Sequence, residues 1–145
     1  MLIPHGALIL VMDGGRLRLL RNRGQEASLD LHVIDERSFH NPPDRMLVSD
    51  APGRSFESRG ATRHAYDAVD RHERREENFA KEAVALLRHE MKADNAVVII
   101  APPRTLGELR AHLDRRISDR IIGEIDKDLS SHRTEEIAAY LYGVR

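Results

Sequence analysis

The chain has 145 residues, of which 41% are hydrophobic and 32% charged, and it contains no cysteine. Its length suits one domain with its own core, and the lack of cysteine excludes disulfides, thiolate metal sites and cysteine nucleophiles. The formal net charge of -1 excludes a uniformly basic surface, so any nucleic-acid contact must be local.

The first part of the chain predicts three antiparallel strands. Gly6–Asp13 is an apolar segment, Gly14-Gly15 suits a two-residue turn, and Arg16–Arg23 alternates leucine with arginine. Ser28–Arg37 again alternates apolar and polar residues, which indicates a third strand.

A long loop and a long helix follow. Residues 38–62 are rich in proline, glycine and polar residues and show no period, so we predict a loop, and loops of this length tend to be functional. Arg63–Ala93 carries apolar residues at helical spacing and predicts one helix. Its charged middle, Asp70–Glu77, is expected to face solvent.

The remaining residues predict alternating strands and helices. Ala96–Ala101 is apolar throughout, which is typical of a central strand covered on both faces. Thr105 and Glu108 match a capping box for a second helix, and its apolar stripe is Leu106, Leu109, Leu113 and Ile117. Ile121–Ile125 suits a short strand, although a continued helix is an alternative, and Thr134–Tyr142 predicts a final helix.

The order of these elements predicts the fold class. Three antiparallel strands followed by helix, strand, helix, strand and helix form a mixed five-stranded sheet between helices. This is the order of a three-layer α/β domain of the ribonuclease-H-like kind. One domain would then span residues 1–145.

Seven short motifs resemble those of the bacterial host attachment protein family. They are Asp13–Arg16, Pro52–Ser58, Arg63–Ala65, Phe79–Glu82, Ala101–Pro103, Leu106–Arg110 and Lys127–Leu129. That family is similar to the ribonuclease-H-like middle domain of archaeal and eukaryotic peptide release factors. The resemblance implies the same fold and a role connected with attachment to host cells.

The resemblance also identifies a candidate functional loop. In release factors, the loop before the main helix carries a Gly-Gly-Gln motif that acts in peptidyl-tRNA hydrolysis. The matching segment here, Gly53–Gly60, contains no glutamine. Gln25 follows Gly24, but this pair lies at the end of the second predicted strand and is interpreted as a turn.

The segment from Gly53 to His64 is the predicted binding site. Arginines presented near glycines suit phosphate contacts, although the same residues could simply form turns and local ion pairs. The candidate binding residues are Gly53, Arg54, Ser55, Phe56, Ser58, Arg59, Arg63 and His64.

Catalytic and metal sites are not predicted. Asp13 and Asp94 invite comparison with magnesium nucleases, but Asp94 precedes its strand and Asp13 is expected to support the hairpin turn. The eight histidines show no ligand spacing, and no cofactor motif occurs. Asp128, with Ser130 or Ser131 beside it, is interpreted as a cap for the last helix rather than as a catalytic group.

The sequence therefore supports three hypotheses. The first is a noncatalytic, cytoplasmic protein that contacts the ribosome, RNA or another macromolecule through Gly53–His64. The second is a peptidyl-tRNA hydrolase or ribosome-rescue factor in which Ser55, Ser58 or His64 replaces the missing glutamine. The third is a homodimeric interaction scaffold. No segment approaches the roughly 20 apolar residues of a membrane-spanning helix, and no secretion signal is predicted.

Overall fold

The computed structural model describes residues 1–38, 58–92 and 95–144, with residues 58–73 described by their backbone alone. Its elements are β1 (Leu8–Met12), β2 (Arg16–Asn22), β3 (Leu31–Ser38), α1 (Ser58–Glu90), β4 (Val97–Ile100), α2 (Pro103–Arg110), α3 (Arg115–Ser118), β5 (Ile121–Ile125) and α4 (Thr134–Gly143). All five predicted strands are confirmed, including the short strand for which a continued helix was the alternative.

The strands form one mixed sheet in the order β3-β2-β1-β4-β5. β1 pairs antiparallel with β2, and β2 pairs antiparallel with β3. β4 lies parallel to both β1 and β5. The middle strand is therefore β1, and the prediction that Ala96–Ala101 forms the central strand is wrong in detail. Both β1 and β4 are interior strands and completely buried, so the apolar composition of each is consistent with either position.

Helices cover both faces of the sheet. Alternate residues of β1 face opposite layers, with Leu8 and Leu10 in the core beneath α1 and α2, and Ile9 and Val11 in the core beneath α4. Packing of helices on each face removes a large apolar area from water, which stabilises the fold by about 25 cal/mol for each Å² buried. The sheet is thereby fixed between two helical layers, as predicted.

The parallel strands give the sheet two distinct ends. We call the end at which β1, β4 and β5 finish the carboxyl end, and the end at which they begin the amino end. β3 also finishes at the carboxyl end, because its last residue, Ser38, pairs with Arg16, which directly follows the β1–β2 turn. The segment between β3 and α1 therefore leaves from the carboxyl end.

Three predicted helix boundaries are corrected. α1 begins at Ser58, so the last residues of the predicted loop are helical. α2 begins at Pro103, which places Thr105 inside the first turn and leaves the predicted Thr105 cap unused. The predicted second helix ends at Arg110, and α3 starts separately after Asp114, whose carboxylate accepts a hydrogen bond from the Ile117 amide at 2.9 Å.

The last helix is not capped by a serine. The Arg133 amide donates to the Glu136 carboxylate at 3.2 Å at the start of α4. In the described part of the chain, no helix has the length and apolar composition needed to cross a membrane.

Candidate functional site

The predicted binding segment is divided by the start of α1. Gly53, Arg54, Ser55 and Phe56 lie outside the described residues. Ser58, Arg59, Arg63 and His64 occupy the first turns of α1, where the backbone alone is described. Arg59 and Arg63 are four residues apart, a spacing that places two positions on the same side of a helix. Arg59 and Arg63 are thus carried by a helix and not by a loop.

The length of α1 determines where these positions lie. The helix has 33 residues and is about 50 Å long, whereas the five residues of β1 extend about 17 Å. Glu76 lies level with the carboxyl end of the sheet. Its Oε1 atom would be 3.2 Å from a Cβ added to Gly14, which belongs to the β1–β2 turn at that end. About 27 Å of helix, from Ser58 to Arg75, precedes this level. The predicted binding positions on α1 therefore lie beyond the carboxyl end of the sheet.

At the carboxyl end, a buried serine joins two carboxylates. The Ser130 hydroxyl lies 2.8 Å from Oδ2 of Asp13 and 2.6 Å from Oδ1 of Asp128. Ser130 is only 4% exposed. The other oxygen of Asp13 accepts a hydrogen bond from the Gly15 amide at 2.8 Å, which confirms that Asp13 supports the hairpin turn. The contacts join the β1–β2 turn to the segment that follows β5.

The Lys127–Leu129 motif has a role in this junction. Asp128 accepts hydrogen bonds from both the amide and the hydroxyl of Ser130, a local arrangement typical of aspartate in turns. It does not cap α4, which begins six residues later, so the predicted capping role of Asp128, Ser130 and Ser131 is wrong. Asp128 and Ser130 instead order the connection between β5 and α4.

Arg18 fixes the same connection from β2. Its guanidinium Nη2 donates to the carbonyl oxygen of Leu129 at 3.1 Å and to that of His132. The side chain is 8% exposed, and its Nε atom has no hydrogen-bond partner among the described residues. A buried charge is expensive, so Arg18 has a specific structural role that its alternation with leucine in the sequence did not indicate.

A groove of about 440 Å³ lies between α1 and α2, near the carboxyl end. It is lined by Glu77, Arg104, Gly107, Glu108, Ala111 and His112. Arg104 lies 3.3 Å from Glu76 and 3.6 Å from Glu108, so one guanidinium is shared by two carboxylates. Partial burial, together with the nearby charge of Glu76, raises the pKa of Glu108. The groove combines charges of both signs and has no large apolar surface for a drug-like ligand.

Nuclease and metal chemistry gain no support from the described geometry. Within residues 1–38, 74–92 and 95–144, no three histidine, aspartate or glutamate side chains are arranged to hold a metal ion. Asp13 is already engaged by Gly15 and Ser130, whereas Asp94 lies outside the described residues.

The Gly24-Gln25 pair forms a turn, as predicted. The Gln25 amide donates to the Ser28 carbonyl at 2.9 Å, and the Ser28 amide donates back to Gln25 at 3.1 Å. This turn follows β2 and therefore lies at the amino end, opposite the start of α1. Gln25 is thus remote from the segment that matches the release-factor loop.

The sheet order and the two helical layers define a protein of the mixed α/β class, with a long helix leading away from the carboxyl end. Within that class, the chain belongs to the bacterial archaeo-eukaryotic release factor family 12, whose family model matches residues 6–141. None of the curated proteins compared with the chain matches it. The predicted kinship with release factors is confirmed, and the comparison does not bear on attachment to host cells.

Proposed function

We propose that this protein binds the ribosome or its RNA without catalysing a reaction, and that residues 53–64 make the contact. Membership of a release-factor family over residues 6–141 is the observation that carries the proposal. We further propose that the sheet and its helices form a ribonuclease-H-like domain, and that the protein acts in the cytoplasm, where ribosomes are found.

The position of the segment supports this proposal. The first 27 Å or so of α1 leads away from the sheet, so a contact there is not obstructed by the rest of the described domain. Arg59 and Arg63 lie on this part of α1, and Arg54 precedes it in the sequence. Guanidinium groups bind phosphate oxygens through paired hydrogen bonds, which suits an RNA backbone.

A noncatalytic role follows from the chemistry of the matching segment. Hydrolysis of peptidyl-tRNA by release factors depends on the glutamine of the Gly-Gly-Gln motif, and residues 53–60 contain no glutamine. An effect on attachment to host cells would then be indirect, through control of translation. Binding without hydrolysis distinguishes this proposal from a ribosome-rescue enzyme.

The test is the salt dependence of RNA or ribosome binding by the variant Arg54→Ala/Arg59→Ala/Arg63→Ala. Each lost phosphate contact should reduce the slope of log affinity against log salt by about 0.7 for single-stranded RNA. A control variant, Lys81→Ala/Lys127→Ala/Arg133→Ala, removes the same charge from exposed side chains elsewhere. An unchanged slope in the first variant, with its circular dichroism intact, would contradict the proposed contact.

A further inference from the structure

The groove between α1 and α2 contains a glycine that the described fold does not require. Gly107 lies in the middle of α2 and is exposed. Apart from its own neighbours in α2, no described atom lies within 4 Å of the position that a Cβ would occupy there. Glycine is, after proline, the least favourable residue in the interior of a helix. The missing side chain therefore gives the fold no packing advantage, but it lets another molecule approach the backbone of α2 closely.

The Leu106–Arg110 motif is only partly explained by the core. Its two leucines are buried between α1 and the sheet, and its last residue forms an ion pair with Glu124 on β5. The other two residues of the motif, Gly107 and Glu108, line the groove. Part of this motif therefore faces the groove and not the core.

The carboxylate of Glu108 is poorly compensated within the groove. Its cationic contact, Arg104 at 3.6 Å, is shared with Glu76 at 3.3 Å. Partial burial and the charge of Glu76 raise the pKa of Glu108, the charge of Glu77 adds to this rise, and Arg104 opposes it. The charged form of Glu108 is therefore disfavoured as the groove stands. A further cation placed in the groove would stabilise it.

Glu77, on the opposite wall of the groove, also has free acceptor capacity. Among the described residues, its Oε1 atom lies 3.8 Å from Nε2 of His112 and 4.0 Å from Nζ of Lys81. Both distances exceed that of a hydrogen bond. A carboxylate offers about four lone-pair sites to donors. Glu77 on α1 and Glu108 on α2 are thus two acceptors on facing walls.

This arrangement suits the side chain of an arginine or lysine. Carboxylates on both walls repel a phosphate backbone. Sites for small molecules are mostly apolar and enclose their ligand, whereas Arg104 and Glu77 are 66% and 53% exposed and leave this groove open. A guanidinium presents its N–H donors in a fork that matches a carboxylate. An open, charged groove is best filled by a side chain that a larger molecule presents.

We propose that the groove between α1 and α2 binds an arginine or lysine side chain of a basic protein segment. Glu77 and Glu108 accept its hydrogen bonds, and the backbone of the segment passes close to α2 at Gly107. This protein contact goes beyond the RNA or ribosome contact proposed for residues 53–64 and does not depend on it. Because the groove lies near the carboxyl end of the sheet, a protein bound there would lie at the end from which α1 leads away.

The test is an NMR titration of the isotope-labelled full chain with the peptide acetyl-tetra-arginine-amide. The backbone amide signals of Gly107 and Glu108 should shift to saturation. The Glu77→Gln/Glu108→Gln variant should bind the peptide at least about tenfold more weakly, because hydrogen bonds to charged groups contribute strongly. The Glu26→Gln/Glu135→Gln control removes the same charge from exposed residues elsewhere and should bind like the wild type. An equal loss in this control would reduce the effect to net charge and overturn the inference.

Gly107→Leu separates binding from folding. A leucine at this position enters open space in the described fold, so the thermal midpoint should not fall, but the peptide should lose its place in the groove. Gly143→Leu is the matched control, since a Cβ there also meets nothing within 4 Å, and it should bind like the wild type. A Gly107→Leu variant with wild-type affinity and intact circular dichroism would contradict the proposed contact.

Two further arms identify the occupant. Free arginine that binds as tightly as the peptide would make the groove a small-molecule site and overturn the protein contact. Single-stranded RNA that shifts the Gly107 signal while the peptide does not would assign the groove to RNA, with the same consequence. The Arg54→Ala/Arg59→Ala/Arg63→Ala variant should bind the peptide like the wild type whether or not it binds RNA. Failure of the proposed function is thereby distinguished from failure of this inference.

Discussion

The hydroxyl of Ser130 lies 2.8 Å from the carboxylate of Asp13, a residue 117 positions earlier in the chain. This contact joins the β1–β2 turn to the segment between β5 and α4, across the carboxyl end of the sheet. A hydroxyl has a single proton to donate, yet Ser130 also lies 2.6 Å from the Asp128 carboxylate. Ser130 is therefore the centre of a small polar junction and not an isolated surface serine.

Replacing Ser130 with alanine should destabilise the protein by about 1–2 kcal/mol, because hydrogen bonds to charged groups contribute more than neutral ones. Chemical denaturation measures the change. Ser131→Ala provides the matched control, since Ser131 is exposed and should change the free energy of unfolding by less than about 0.5 kcal/mol. Equal effects of the two substitutions would show that the hydrogen bonds of Ser130 do not stabilise the fold.

Replacing Arg18 with alanine should cost roughly 2–4 kcal/mol. The substitution leaves the carbonyl groups of Leu129 and His132 without the guanidinium and opens a space beneath α4. Arg16→Ala, at an exposed position of the same strand, should change the stability by about 0.5 kcal/mol or less. An Arg18 variant as stable as the wild type would show that the buried charge is not needed to order the β5–α4 connection.

Arg18 and β1 show what the sequence could and could not predict. The strands were predictable because apolar residues alternate with polar ones in β2 and β3 and are continuous in β1 and β4. Arg18 alternates with Leu17 and Leu19 as a solvent-facing residue would, but α4 covers that face and buries it. Only the folded chain brings the carbonyls of Leu129 and His132 to the guanidinium. The sequence also could not show that β1, and not β4, is the middle strand of the sheet, because both strands are apolar throughout.

Replacing Leu86 with alanine should destabilise the protein by about 2–5 kcal/mol. Leu86 is 5% exposed in the core between α1 and the sheet, so truncation loses apolar burial and leaves a cavity. The exposed neighbour Ala85 offers a control, and Ala85→Ser should cost about 0.5 kcal/mol. Denaturant midpoints decide the matter, and a change below about 0.5 kcal/mol for Leu86→Ala would mean that the helix packs by another face.

Asp114 should make the stability depend on pH. The Ile117 amide and the Arg88 guanidinium hold the pKa of Asp114 below its ordinary value of 3.8. A lowered pKa means that the stabilisation is present above the pKa of the unfolded chain and is lost as the pH falls through the folded value. Asp114→Asn keeps an oxygen for the cap but has no charge to titrate.

Thermal unfolding of both proteins from about pH 5 down to about pH 2 tests this contribution. Below pH 3.8 the midpoint of the wild type should fall more steeply than that of the Asp114→Asn variant. The two curves should therefore converge as acid removes the Asp114 charge. Parallel curves for the two proteins would show that this carboxylate has no part in the acid sensitivity.

The candidate site was predictable only in part, for a physical reason. Glycine and arginine marked residues 53–64 as unusual, but the local composition did not show that α1 begins at Ser58. Gly60 and Thr62 weaken helical propensity, and the long helix nevertheless continues through them.

Cosedimentation with ribosomes tests the central claim most directly. Purified wild-type protein, mixed with bacterial ribosomes at low salt and centrifuged through a sucrose cushion, should enter the ribosome pellet. The Arg54→Ala/Arg59→Ala/Arg63→Ala variant should remain largely in the supernatant, while the Lys81→Ala/Lys127→Ala/Arg133→Ala control should pellet like the wild type. Wild-type protein that stays in the supernatant at every salt concentration would contradict ribosome binding.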